Sequence, residues 1–135
     1  MPMDFDLIPP DTCLEANGKG APVDIRPSQT RIFFLVMEIT DQIEQESADV
    51  SIEGSADGET WTPQPILKLP QRFYRGQTRA VLDLTTWPEV NFIRAAWDLN
   101  RWGRVDPHPM FALGLRANEM PAMSGHPKRA AVVAR

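Results

Sequence analysis

The chain has 135 residues, a formal net charge of −4, 13 prolines, one cysteine and two histidines. That length suits one domain around a single core, and the prolines exclude long helices while favouring short strands joined by rigid turns, so an all-β fold is expected. The mild negative charge gives nucleic acid and acidic membranes no electrostatic footprint, and the single Cys13 excludes an intrachain disulfide and a cysteine-based zinc site.

The opening stretch MPMDFDLIPPD carries acids where a secretory leader carries basic residues. The longest apolar run, Ile32 to Met37, is far short of the ~20 residues a membrane span requires. A soluble, cytoplasmic protein is the expectation.

Residues 1–30 are rich in Pro, Gly and Asp, with apolar islands at Phe5 to Ile8 and Val23 to Ile25, and predict an irregular arm with one or two short strands. RIFFLVMEIT (31–40) is a β-branched and aromatic run whose continuity predicts a central strand buried on both faces. DQIEQESA (41–48) reads as a polar loop. DVSIEG (49–54) alternates, with Val50 and Ile52 on one face and Ser51 and Glu53 on the other. Asp57-Gly58 then supplies hairpin-turn residues, and Trp61 opens the return strand.

PILKLP (65–70) predicts a short strand fenced by prolines, and RAVLDL (79–84) turns Ala80, Leu82 and Leu84 inward. In NFIRAAWDL (91–99), Ile93, Ala95, Trp97 and Leu99 share one face, opposite Phe92, Arg94, Ala96 and Asp98. MFALGLRA (110–117) directs Phe111, Leu113 and Leu115 inward. Strands so spaced, without βα alternation, predict an antiparallel β-sandwich core over 31–117. From Asn118, NEMPAMSGHPKRAAVVAR loses all period and predicts a flexible tail over 118–135 that orders on a partner.

The residues that can carry chemistry form few recognisable sets. A calcium loop beginning at Glu53 would need a bidentate Glu where Gln64 stands, so Asp57 and Gly58 read as turn chemistry and no metal site is expected. His108 and His126 lack HExxH or HxH spacing, and there is no GxSxG elbow. The stretch with most character is RAAWDLNRWGRVDPHP, in which Arg94, Arg101 and Arg104 interleave with Trp97 and Trp102. Guanidinium over indole can lock a turn and can stack a sugar ring; the structural use, with Trp97 in the core and Arg101 and Trp102 locking the turn at Gly103, is preferred, and the ligand platform stays open. Tyr74, Trp87, Arg101, Trp102 and Arg104 are the candidate contacts for a ligand or partner.

The hairpin SADGETW resembles the S-x-D-G-x-x-W hairpin of discoidin-like and galactose-binding-like jelly-roll domains, through Ser55, Asp57, Gly58 and Trp61. The stretch from Gln45 to Ala117 also resembles a group of short, functionally uncharacterised bacterial proteins. The discoidin resemblance implies an eight-stranded jelly roll whose loops at one end bind sugars, lipid head groups or proteins, and it gives those four residues a structural role. The chain departs from that family in lacking its terminal cysteine pair and a secretion signal.

Three functions are consistent with these features. The first is a non-enzymatic sandwich acting as a structural or accessory subunit of a larger protein assembly through self-association or a protein partner; the apolar AAVVAR segment supports it. The second is a carbohydrate-binding module using Tyr74, Trp87, Arg101 and Trp102. The third is a small hydrolase using carboxylates or His108. No cofactor is expected.

Overall fold

The computed structural model describes residues 2–102 and 108–122, and within them the chain forms strands and no helix. The strands are β1 (Asp4–Leu14), β2 (Gly18–Lys19), β3 (Val23–Asp24), β4 (Ile32–Gln42), β5 (Glu46–Ser55), β6 (Leu67–Lys68), β7 (Gly76–Asp83), β8 (Phe92–Arg101) and β9 (Phe111–Glu119). One sheet runs β1-β9-β4-β7 and the other β2-β8-β5-β6, with β3 pairing β8 beyond β2. Every pairing is antiparallel, and the two sheets form an all-β sandwich.

Period-two patterning builds the core. Phe33, Leu35, Met37 and Ile39 of β4 face Val50, Ile52, Ile93 and Ala95 of the opposite sheet, and Phe111, Leu113, Leu115 and Ala117 of β9 complete the layer, all buried. The expectation that RIFFLVMEIT is buried on both faces is corrected: Phe34 is 44% exposed and Val36 only half-buried. Apolar side chains at outward positions hide the strand's alternation in sequence.

The predicted boundaries also move. Residues 1–30 are not chiefly an irregular arm, because β1 is an 11-residue strand whose Leu7, Ile8 and Leu14 enter the core. Pro9-Pro10 disguise it. They force register shifts against β9 and leave Asp11 at a φ of 57°, so the strand proceeds through a bulge. Opposite that bulge, a Cβ on Gly114 would lie 2.8 Å from Pro10 Cα, so the crossing requires glycine there.

The predicted loop at 41–48 shrinks to a tight turn between β4 and β5, with Gln45 at a φ of 58°. The buried Glu46 carboxylate accepts from Ile43 N and from Met110 N, both at 2.8 Å, fastening this turn to the approach to β9. PILKLP contributes only the two residues of β6. At the other end of the chain β9 continues through Glu119, past the expected boundary at 117, while the remainder of the expected tail from 123 to 135, with AAVVAR and His126, lies outside the described residues.

Two buried or half-buried ionic groups tie the crossovers together. Glu119 Oε1 accepts from Met3 N at 2.8 Å. Its Oε2 accepts from Ser28 Oγ and Gln29 N at 2.7 Å and from Thr30 N at 2.9 Å. Burial alone would raise the Glu119 pKa, yet the bonds from Thr30, Ser28, Met3 and Gln29 outweigh it and hold the group down at about 2. Arg31, itself at a φ of 61°, donates Nη2 to Trp87 O at 2.9 Å and Val90 O at 2.8 Å, pinning the connection between β7 and β8.

Glu119→Gln is expected to lower unfolding free energy by about 2–4 kcal/mol, because an amide cannot satisfy the facing N–H groups. The folded pKa lies below the unfolded value of 4.5, so the carboxylate's contribution is complete above about pH 4.5 and lost as pH falls towards 2. Urea unfolding of both proteins between pH 7 and 2.5 checks this; a gap that does not narrow in acid would contradict it.

Candidate functional site

The connections divide between two ends of the sandwich. At one end the β4–β5, β6–β7 and β8–β9 connections meet: Trp102 N donates to Gln45 O at 2.9 Å, and Arg75 N donates to Gln42 Oε1 at 3.0 Å. Ala48 and Arg72 exchange backbone bonds of 2.8 and 3.0 Å, which fixes the start of the β6–β7 loop against β5.

On this base stands an aromatic cluster. Phe73 is 37% exposed, Tyr74 72% and Trp102 48%. The Phe73 ring lies 6.3 Å from Trp102 at 84° and 6.2 Å from Tyr74 at 45°. Edge-to-face packing of Phe73 against Trp102 orders the group while leaving ring surface in solvent. Arg101 braces it from behind, donating Nε to Glu44 O at 3.3 Å and Nη1 to His108 O at 3.2 Å. Arg72 donates Nε to Thr78 Oγ1 at 2.7 Å, and a groove of about 260 Å³ runs along Arg72, Tyr74, Arg75 and Gln77.

The structure thus brings Tyr74, Arg101 and Trp102 to one end and separates Trp87 from them. Trp87 N donates to Leu84 O at 3.0 Å, and its own carbonyl accepts from Arg31 and Val90, so it belongs to the opposite end with the Arg31 brace. Arg104 lies outside the described residues. Phe73, which unites the cluster, was not singled out from sequence; its signal is the aromatic pair between arginines in RFYR (72–75).

The opposite end holds the hairpin. Ser55 Oγ accepts from Gly58 N at 2.8 Å, and Asp57 Oδ1 accepts from Glu59 N and Thr60 N at 2.8 Å. Those backbone bonds, Thr60 first, keep the Asp57 pKa below the ordinary carboxylate range. Gly58 adopts a φ of 81° over the Phe92 ring. Trp61 bridges back to Ser55 and carries the Arg94 guanidinium 4.0 Å above its ring. Arg94 also donates to Glu53 at 2.8 Å, and Lys19 donates to the same carboxylate at 2.7 Å. Burial would raise the Glu53 pKa, but the two cations bring it below its ordinary value. The cation–π partner of Arg94 is therefore Trp61. Trp97 instead lies against Gly18 and donates Nε1 to Ala16 O at 3.0 Å.

One further concavity has polar groups turned on one another. In a groove of about 350 Å³ on the outer face of β1, β9 and β4, Arg116 pairs with Asp6 at 3.3 Å and Thr40 donates to Asp11 at 2.6 Å. Among the described residues no group of three metal-binding side chains comes together.

Trp61→Ala is expected to cost about 1–3 kcal/mol of stability by removing the Arg94 stack and its ring contacts. Tyr74→Ala should change it by less than about 0.5 kcal/mol, because that ring stands in solvent. Chemical denaturation of the two variants separates the structural end from the free one; equal losses would contradict the assignment.

No family model matches the chain, and a search of curated proteins finds no match to it either.

Proposed function

We propose that the chain is a non-enzymatic β-sandwich that serves as a structural or accessory subunit of a larger protein assembly. The observation that carries this reading is the exposed Phe73, Tyr74 and Trp102 cluster, held on loops braced by Arg101 and Arg72. Aromatic and arginine side chains anchor protein interfaces because they bury large areas at small entropic cost, and here they are ordered before a partner arrives.

The acids support the same reading. Among the described residues, every carboxylate with a shifted ionisation is shifted downward: Asp24, Glu53, Asp57, Asp83 and Glu119. Each holds a turn, a cation or a crossover, a structural use of its charge.

A second reading, a carbohydrate-binding module of the galactose-binding-like type, draws on one feature. The 72% exposed Tyr74 flanks the groove lined by Arg72, Arg75 and Gln77, which pairs a stacking face with hydrogen-bond donors. The strand order also fits it. With β2 and β3 taken as two pieces of one strand, the orders β1-β9-β4-β7 and β2/β3-β8-β5-β6 support a jelly-roll reading, an architecture found in lectins and in capsid proteins alike.

Sizing chromatography of extract from the native cells, with antibody detection, tests the assembly reading. The wild-type chain is expected in a fraction far heavier than one or two chains, and Tyr74→Ala/Trp102→Ala is expected to leave that fraction while melting as before. An unaltered elution of the double variant would overturn the reading. Quenching of indole fluorescence by a sugar, abolished in Trp102→Ala, would put the carbohydrate reading in its place.

A further inference from the structure

A β-sandwich presents four sheet edges, each a row of unpaired backbone groups that accepts another strand unless it is blunted. Three edges here are blunted. β1 carries Pro9-Pro10 and two register shifts. β2 and β3 are two residues each, interrupted by a segment containing Pro22. β6 is two residues between Pro65 and Pro70. The fourth, β7, carries none of these devices: it has eight residues, no proline, and pairs to β4 with no register shift.

The direction of its free groups follows from one bond. Leu84 N donates to Arg31 O at 2.8 Å, so in the antiparallel alternation the even-numbered residues of β7 bond to β4. The N–H and C=O groups of Gln77, Arg79, Val81 and Asp83 therefore point to the open edge. The same residues place their side chains on the outer face, where Val81 is 51% exposed and its neighbour across β4, Phe34, is 44% exposed.

We propose that this edge pairs with β7 of a second copy, antiparallel about a twofold axis at Val81, so that the β1-β9-β4-β7 sheets of two chains become one. Three facing pairs follow, each of residues whose backbone groups point outward: Val81 with Val81, and Arg79 with Asp83 of the second copy, twice. Charge selects this register. Centring the axis on Ala80 sets Arg79 against Val81, and centring it on Arg79 sets two guanidinium groups face to face. One Asp83 oxygen is engaged by Thr85 N at 2.9 Å, and the other faces no donor among the described contacts. The outer-face row Phe34–Val81 then continues into Val81–Phe34 of the second copy, which sets the two Val81 side chains against each other across the seam. The inference rests on the assembly reading and names one partner within it.

Sedimentation analysis of the purified full chain from micromolar to sub-millimolar concentration tests it. The wild type is expected as a dimer. Arg79→Asp and Asp83→Arg each set like charges opposite one another at both positions, and each is expected to weaken dimerisation by at least about tenfold. Mixed together the two variants complement. The aspartate introduced in one chain meets the arginine introduced in the other, while the unchanged Asp83 of the first meets the unchanged Arg79 of the second, and the mixture is expected to dimerise. Val81→Lys, an exposed change that leaves the Thr85 turn intact, gives a second disruption should Asp83→Arg fold poorly. A wild-type monomer throughout the range overturns the inference, as does a dimer indifferent to Arg79→Asp and Val81→Lys. Either result would leave the assembly reading standing if the high-mass native fraction persists; loss of that fraction with an intact, charge-dependent dimer would overturn the larger assembly alone.

Discussion

The Glu119 carboxylate is the interaction on which the arrangement of the first sheet depends. It terminates β9, and its two oxygens gather the amide of Met3 ahead of β1 and the amides of the 28–30 turn ahead of β4. These are the two strands that flank β9. A single buried anion therefore fixes the relative height of three neighbouring strands, and it does so where the chain arrives by crossovers between the sheets rather than by hairpins. Burying that charge is costly, and only the convergence of several donors offsets the cost.

Arg31 performs the complementary task with opposite charge, binding carbonyls of the β7–β8 connection. Between them these two groups make the end that contains the hairpin rigid, and the Trp61, Arg94, Glu53 and Lys19 chain extends that rigidity across the outer face of the second sheet. The end bearing Phe73, Tyr74 and Trp102 is organised differently. Its loops are anchored through backbone bonds and through Glu46 and Arg101, so the aromatic rings remain at the surface. Ionic bracing and exposed aromatic rings thus lie at opposite ends of one small sandwich.

Sequence alone revealed the strands whose outward residues are polar. β5 and β8 were legible because the charged Asp49, Glu53, Arg94 and Asp98 take outer-face positions between inward apolar residues, and the hairpin was legible because Asp57-Gly58 is a turn chemistry with few alternatives. β1 was hidden by prolines that a bulge accommodates, and the outer face of β4 was hidden because Phe34 and Val36 are apolar although turned away from the core. The site residues divided along similar lines. Tyr74 is far in sequence from the adjacent Arg101 and Trp102 and is brought to their end by loop packing, whereas Trp87 shares their composition and not their place. Composition marks a residue as fit for contact, and only the strand order says which end of the molecule it occupies. Glu119 and Arg31 carried no local signature, because their side-chain partners lie on distant loops, and nothing local announced the reach of Glu46 to Met110.

The place of β9 between β1 and β4 has a consequence for how the protein reaches its fold. β9 is the last described strand in the chain, yet it fills a central position, and its partners in β1 lie about a hundred residues earlier. Until β9 is in place, β1 has no neighbour and β4 is paired on one side only. Loop closure over such separations is entropically expensive and makes folding slow compared with a chain of local hairpins. A ribosome-bound chain that has not yet released this segment can pair β4 with β7 and complete the second sheet, yet it leaves β1 unpaired and the β9-facing edge of β4 open in solution. Such a chain is the form most prone to aggregate and most in need of a chaperone.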